Sequence, residues 1–188
     1  MRLASVILIA SLAACANAAG FDGTAFSIQA PNVTLVDQHS RQWDLSAQRG
    51  TTVVLYFGYT HCPDDCPLTL AKLSRAIAAL GPGSQMEIAF ITVDPARDTP
   101  AVLATYIRHF HGAKIVGLTG SRAALARAET AYHVWAQRIP GKNRSAGYAV
   151  AHASPVFLID ANGRLRVVHD DADAPSAFTH DLQILGNH

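Results

Sequence analysis

The run Tyr56-Phe57-Gly58-Tyr59-Thr60-His61-Cys62-Pro63-Asp64-Asp65-Cys66-Pro67 decides how this chain is read. The residues leading into it, Thr51 to Phe57, form an apolar stretch with the signature of a buried strand. The residues after it, Leu68 to Leu80, have the spacing of an amphipathic helix. Two cysteines therefore stand at a strand-to-helix junction, four positions apart. A helix beginning near Cys62 would put both sulfurs on one face. Its unpaired N–H groups and dipole would favour thiolate, and Pro63 and Pro67 suit a first turn. Two adjacent thiolates can close a disulfide or hold a soft metal such as Cu(I). A disulfide kept only for stability is a poor match, because so short a loop restrains the unfolded chain little. A closed zinc site lacks a second cysteine pair.

Three segments in one order make a family resemblance specific. Gly58-Tyr59-Thr60-His61-Cys62-Pro63-Asp64-Asp65-Cys66-Pro67-Leu68-Thr69-Leu70 resembles the signature of the Sco/SenC family, thioredoxin-fold copper proteins of cytochrome c oxidase assembly. Asp94-Pro95-Ala96-Arg97-Asp98-Thr99-Pro100 is similar to the family's DPxRDTP segment, and Tyr148-Ala149-Val150-Ala151-His152 to its Tyr-x-x-x-His segment. The resemblance runs from about Phe26 to the end. It implies a thioredoxin-like α/β fold with a mixed central sheet, and copper, as Cu(I) or Cu(II), bound by Cys62, Cys66 and His152. It also implies a role in assembling the dinuclear copper centre of a cytochrome oxidase subunit, with other copper carriers or thiol reductants as further partners.

Composition sets the outer bounds. The chain has 188 residues, enough for one domain with a proper core. Fifteen basic residues against fourteen acidic ones leave no basic patch that argues for nucleic acid. At the N-terminus Arg2 precedes a short apolar stretch, Leu3 to Ala14, as in an export signal, and too short for a comfortable membrane span. Two processing sites compete: Ala16-Asn17-Ala18, and the lipobox-like Leu12-Ala13-Ala14-Cys15. The second is preferred because lipidation of Cys15 accounts for the odd third cysteine. The expected organisation is a signal peptide over 1–19, a loose tether over 20–31, and the copper-binding domain over 32–188. The domain would sit on the periplasmic side of a bacterial cell envelope, lipid-anchored to a membrane if Cys15 is modified.

Along the chain, strands are expected over 33–36 and 41–43 around an Asp37–Ser40 turn that lacks the family's usual glycine. Asp44 and Ser46 cap a short turn. A strand follows over 86–93, then a helix capped by Thr99 with Pro100 in its first turn, running to about Phe110. Next come a strand over 114–118, a helix from Arg122 to about Trp135, a basic loop over 138–147, a hairpin around Asp160–Gly163, and a helix from Pro175 to about Leu185.

Several residues carry alternatives. Asp94 is either a group supporting the cysteines or a turn residue. His61 should be exposed. Asp64 and Asp65 are ordinary helix-start residues that also add weak negative charge. Pro155 lies one residue from the cis-proline position of thioredoxin-like redox enzymes, with a trans strand-start reading beside it. The remaining histidines share no face visible in the sequence. The rival function is a thiol–disulfide oxidoreductase using Cys62 and Cys66 as its redox-active pair, with Cys62 as nucleophile. A weaker third is a peroxide-consuming thiol enzyme, which would need Arg97 beside the sulfur.

Overall fold

A computed structural model of the chain describes residues 20–140 and 147–186. Its organising element is β4 (Thr52–Gly58), every residue of which is buried. It pairs in parallel with β5 (Met86–Thr92), also buried throughout, and antiparallel with β9 (Val156–Ile159). Strands covered on both faces must be apolar along their whole length, which is why these two read as continuous apolar runs. Helix α1 (Asp65–Ala79) carries the chain from β4 to β5, and α2 (Pro100–Ile107) carries it from β5 to β6 (Lys114–Thr119). Outside these lie the hairpin β2 (Thr34–Asp37) and β3 (Gln42–Asp44) on one side, and β10 (Arg164–His169) and β1 (Thr24–Gln29) on the other. Among the described residues the sheet order is β1-β10-β9-β4-β5-β6-β2-β3, a mixed sheet as expected. The helix α4 (Pro175–Gly186) packs against α1, α2 packs against β6, and α3 (Arg122–Ala131) lies near β2.

The capping chemistry behaves as the sequence suggests. Thr99 Oγ1 accepts from the Val102 amide with Pro100 at the first turn, Ser121 Oγ accepts from the Ala124 amide, and Asp44 caps the 3-10 turn Leu45–Gln48. The glycine missing from the β2–β3 turn is replaced by Ser40, which takes a left-handed φ of 61°. Asp37 Oδ1 accepts from the His39 and Arg41 amides at 2.8 Å each and stabilises that turn.

Three expectations are corrected. First, residues 24–29 are not a tether but β1, an edge strand on β10 with Thr24 facing Val168, so the folded unit begins well before residue 32. The strand was hard to read because it is exposed along nearly its whole length and its partner is remote in sequence. Second, α1 starts at Asp65, not near Cys62, so the cysteines do not share a helical face: Cys62 precedes the helix and Cys66 is in its first turn. Third, α3 ends at Ala131, where His133 turns the chain with a φ of 54°. The following residues form β7 (Ala136–Pro140), paired antiparallel with β8 (Tyr148–His152) in a separate two-stranded sheet. Residues 138–140 of the expected loop are thus strand, and residues 141–146 lie outside the described residues. No peptide bond among the described residues is cis, so Pro155 takes its strand-start role.

Phe21, 4% exposed, is buried in the core just ahead of β1. A chain starting at Asn32 should therefore unfold at lower urea than one starting at Gly20. Loss of the Phe21 side chain alone is expected to cost about 3 kcal/mol or more, and equal midpoints would show that β1 contributes nothing.

Candidate metal and thiol centre

The two cysteines occupy unequal environments. Cys66 is fully buried, and Cys62 lies partly open at the rim. Cys66 Sγ nests against β4 where Gly58 leaves room: a Cβ there would come within 2.7 Å of Phe90 and 3.0 Å of Cys66 Sγ. The helix N-terminus is aimed at Cys62 instead. The Cys66 amide lies 3.5 Å from Cys62 Sγ, and the amides of Asp64 and Asp65 also donate toward it. The Cys66 thiol donating to Cys62, together with these amides, outweighs partial burial and holds the Cys62 pKa down to about 5. The same hydrogen bond, together with burial, pushes the Cys66 thiol up and keeps its proton on.

His152 closes β8 and brings its Nε2 to 3.6 Å from Cys66 Sγ. Its Nδ1 lies 2.9 Å from the Ala153 carbonyl, with Ser154 Oγ at 3.3 Å. A carbonyl can only accept, so Nδ1 carries the proton and Nε2 presents its lone pair to the sulfur. Tyr59 meets the imidazole edge-to-face at 5.8 Å between centroids, and its hydroxyl accepts from the Val150 amide at 3.4 Å. The last residues before the cysteine loop therefore also hold β8. Cys66 links the two other donors, but Cys62, Cys66 and His152 are not drawn together as tightly as a bound ion would require.

The DPxRDTP segment does more than cap α2. Asp98, fully buried, accepts from the Thr60 amide at 3.0 Å, from Thr60 Oγ1 at 2.6 Å and from Thr92 Oγ1 at 2.6 Å. It ties the start of the cysteine loop to the end of β5, a role the sequence reading missed. Asp94, also fully buried, takes its partners from its own segment and from β7 and β8. Its carboxylate accepts from Tyr148 Oη at 2.8 Å and from Arg138 at 3.3 Å, and it pairs with Arg97. Arg97 donates to the Tyr148 carbonyl at 3.0 Å and stacks 3.8 Å over the Tyr148 ring. Asp94 thus fixes the entry to β8, and Arg97, the arginine the peroxide reading needs, is paired with Asp94 and Tyr148 instead. His61 is exposed, as expected, with Nδ1 3.0 Å from Thr60 Oγ1. Asp64 precedes α1 without a side-chain cap bond, and Asp65 opens the helix.

An α/β domain with a dithiol at the head of its first sheet-crossing helix, and an imidazole brought beside it from a hairpin, is a thioredoxin-like domain with a cysteine–histidine centre. The chain belongs to the SCO1/SenC family, whose pattern matches residues 24–185. An SCO2-like protein of Rickettsia felis is 37% identical over 132 residues, 69% of this chain and 63% of that protein, so the chain spans less than two thirds of that relative. The structure of Bradyrhizobium japonicum ScoI with copper bound superposes with a TM-score of 0.74 at 32% identity, covering 83% of this chain and 98% of that one. Apo Sco1 from Thermus thermophilus gives a TM-score of 0.77 at 32% identity, covering 88% of this chain and 96% of that one.

Two outcomes test this geometry. Cys62 has a folded-state pKa below its ordinary value of 9.0, so its ionisation stabilises the reduced fold fully above about pH 9 and that contribution is lost as pH falls toward about 5. The difference in urea midpoint between the parent and Cys62→Ser should widen from pH 5 to pH 9, and a flat difference would contradict it. Gly58→Ala should destabilise the domain by about 1–3 kcal/mol through overpacking. It should also speed alkylation of Cys66, read by mass spectrometry of the modified peptide.

Proposed function

We propose that this protein is an exported copper chaperone that carries one copper ion on Cys62, Cys66 and His152 and delivers it to the dinuclear copper centre of a cytochrome oxidase subunit. The observation that carries the reading is the convergence of a buried thiol, a thiolate and an imidazole lone pair at one rim. Two thiolates suit Cu(I), and an added imidazole accommodates Cu(II). The copper-bound Bradyrhizobium relative has the same fold. The apolar leader ending in Leu12-Ala13-Ala14-Cys15 supports export and a lipid anchor; these residues lie outside the described ones, and no described helix is long and apolar enough to cross a membrane.

The unequal cysteines suit delivery. Cys66 and His152 are held by packing and hydrogen bonds, whereas Cys62 lies on a loop at the surface. An incoming partner thiolate would displace Cys62 first, leaving the cargo briefly on Cys66 and His152. Because Cys62 is ionised above about pH 5, loading at neutral pH requires loss of the Cys66 proton.

A second reading draws on the same Cys62 thiolate. It would attack a partner disulfide, forming a mixed disulfide and expelling one partner thiolate. Cys66, giving up its proton, would then attack the Cys62 sulfur, leaving a Cys62–Cys66 disulfide and releasing the second partner thiol.

Copper binding by the reduced protein, beside His152→Ala, separates the two. The chaperone reading expects one tight equivalent in the parent, weakened by at least about tenfold in the variant, and an affinity rising by about tenfold per unit between pH 7 and 9 as the Cys66 proton is released. Weak binding unchanged by the substitution, with dithiol activity retained, would favour the oxidoreductase.

A further inference from the structure

A second group of ligand-type side chains lies on the β1–β10–α4 edge of the domain. Asp22, His180 and Asp181 offer donor atoms all within 4.8 Å of one another. His180 Nδ1 stands 3.2 Å from Asp22 Oδ2 and 3.0 Å from Asp181 Oδ1. One Nδ1–H is shared here between two carboxylates, whereas a cation held between the three groups would serve both carboxylates and the imidazole lone pair at once.

The surroundings prearrange the group. Asp181 is fully buried and fixed by the amides of Asp22 at 2.8 Å and Gly23 at 3.0 Å. His180 and Asp22 have side chains 46% and 52% exposed, so the group opens to solvent on one side. Behind it, the His169 side chain is completely buried, with Nδ1 2.8 Å from Asp173 Oδ2. Its Nε2 is aimed at Asp181, 3.0 Å from Oδ2, yet makes no aligned hydrogen bond. Gly23 is packed so closely on His169 that a Cβ would come within 2.9 Å of the ring. A metal's carboxylate ligand backed by an oriented imidazole and two amides is the kind of outer support that metal sites use.

We propose that Asp22, His180 and Asp181 form a second metal site, for a divalent ion of borderline character such as Zn²⁺ or Cu²⁺. One imidazole and two carboxylates match that class and are a poor match for Cu(I), which the thiols prefer. With three protein ligands, a further position is left for water. The site joins the segment entering β1 to the helix α4, so occupancy would fasten the chain's entry into the domain.

Zn²⁺ added to the full-length Cys62→Ser/Cys66→Ser protein tests this, with competition against a chromophoric chelator and melting temperature as readouts. Removing both thiols silences the copper centre, so failure here leaves the chaperone reading untouched. One equivalent of Zn²⁺ is expected, with a rise in melting temperature by mass action. Affinity should fall by about tenfold or more, and the temperature rise should vanish, when His180→Ala or Asp22→Asn is added. Both substitutions are at exposed positions, which leaves Asp181 to hold its amides. No zinc equivalent in the Cys62→Ser/Cys66→Ser protein, or binding unchanged by both further substitutions, would overturn the proposal and leave a proton as the cation between the carboxylates.

Discussion

The site depends on one buried carboxylate. Asp98 binds the amide and hydroxyl of Thr60 and the hydroxyl of Thr92. It thereby stitches the start of the cysteine loop to the end of β5. A buried carboxylate is tolerable only when its lone pairs are filled, and these three donors meet that demand. The loop geometry follows from it: the chain leaves β4 at Gly58, is fixed at Thr60, and turns so that the head of α1 faces Cys62. Asp94 does the corresponding work on the other wall, holding Tyr148 and, through Arg97, the backbone at the start of β8. Two carboxylates four residues apart in sequence thus position donors that are far apart in the chain.

The two sulfurs are made different chiefly by the hydrogen bond between them and by placement. Cys62 receives hydrogen bonds and lies at the rim; Cys66 gives one and lies in the core. A symmetric pair would hold copper well and release it poorly, because both ligands would be equally hard to replace. On the chaperone proposal, putting one sulfur on the loop and the other under Gly58 would separate retention from exchange. It also places the nucleophile of any disulfide chemistry outermost, so the same asymmetry serves both readings of the site.

Much of this was legible beforehand. The buried strands were plain because residues covered on both faces leave an unbroken apolar run, and the caps at Thr99, Ser121 and Asp44 were plain because capping is local. Resemblance supplied His152, which no spacing rule would have tied to the cysteines. What escaped was non-local. β1 is a weakly apolar edge strand whose partner is nearly at the other end of the chain. The β7–β8 pairing hides behind a helix-like run ended only by the left-handed turn at His133. Asp98 looked like part of a capping motif, since nothing in the sequence says that its carboxylate turns back toward Thr60.

The histidines make the same point in a sharper form. Read along the chain, His169 and His180 seemed scattered, with nothing to link them to Asp22. Folding brings all three to Asp181, because β1 returns to pair with β10 and α4 closes over that end. The domain therefore divides donors by softness: sulfur and one imidazole at the head of α1, oxygen and a second imidazole where β1 enters the fold. A soft ion gains little from carboxylates, and a divalent borderline ion entering the thiol centre would compete with its cargo. A carboxylate-rich group at the domain's entry offers such an ion another place to bind, away from the sulfurs proposed to carry copper.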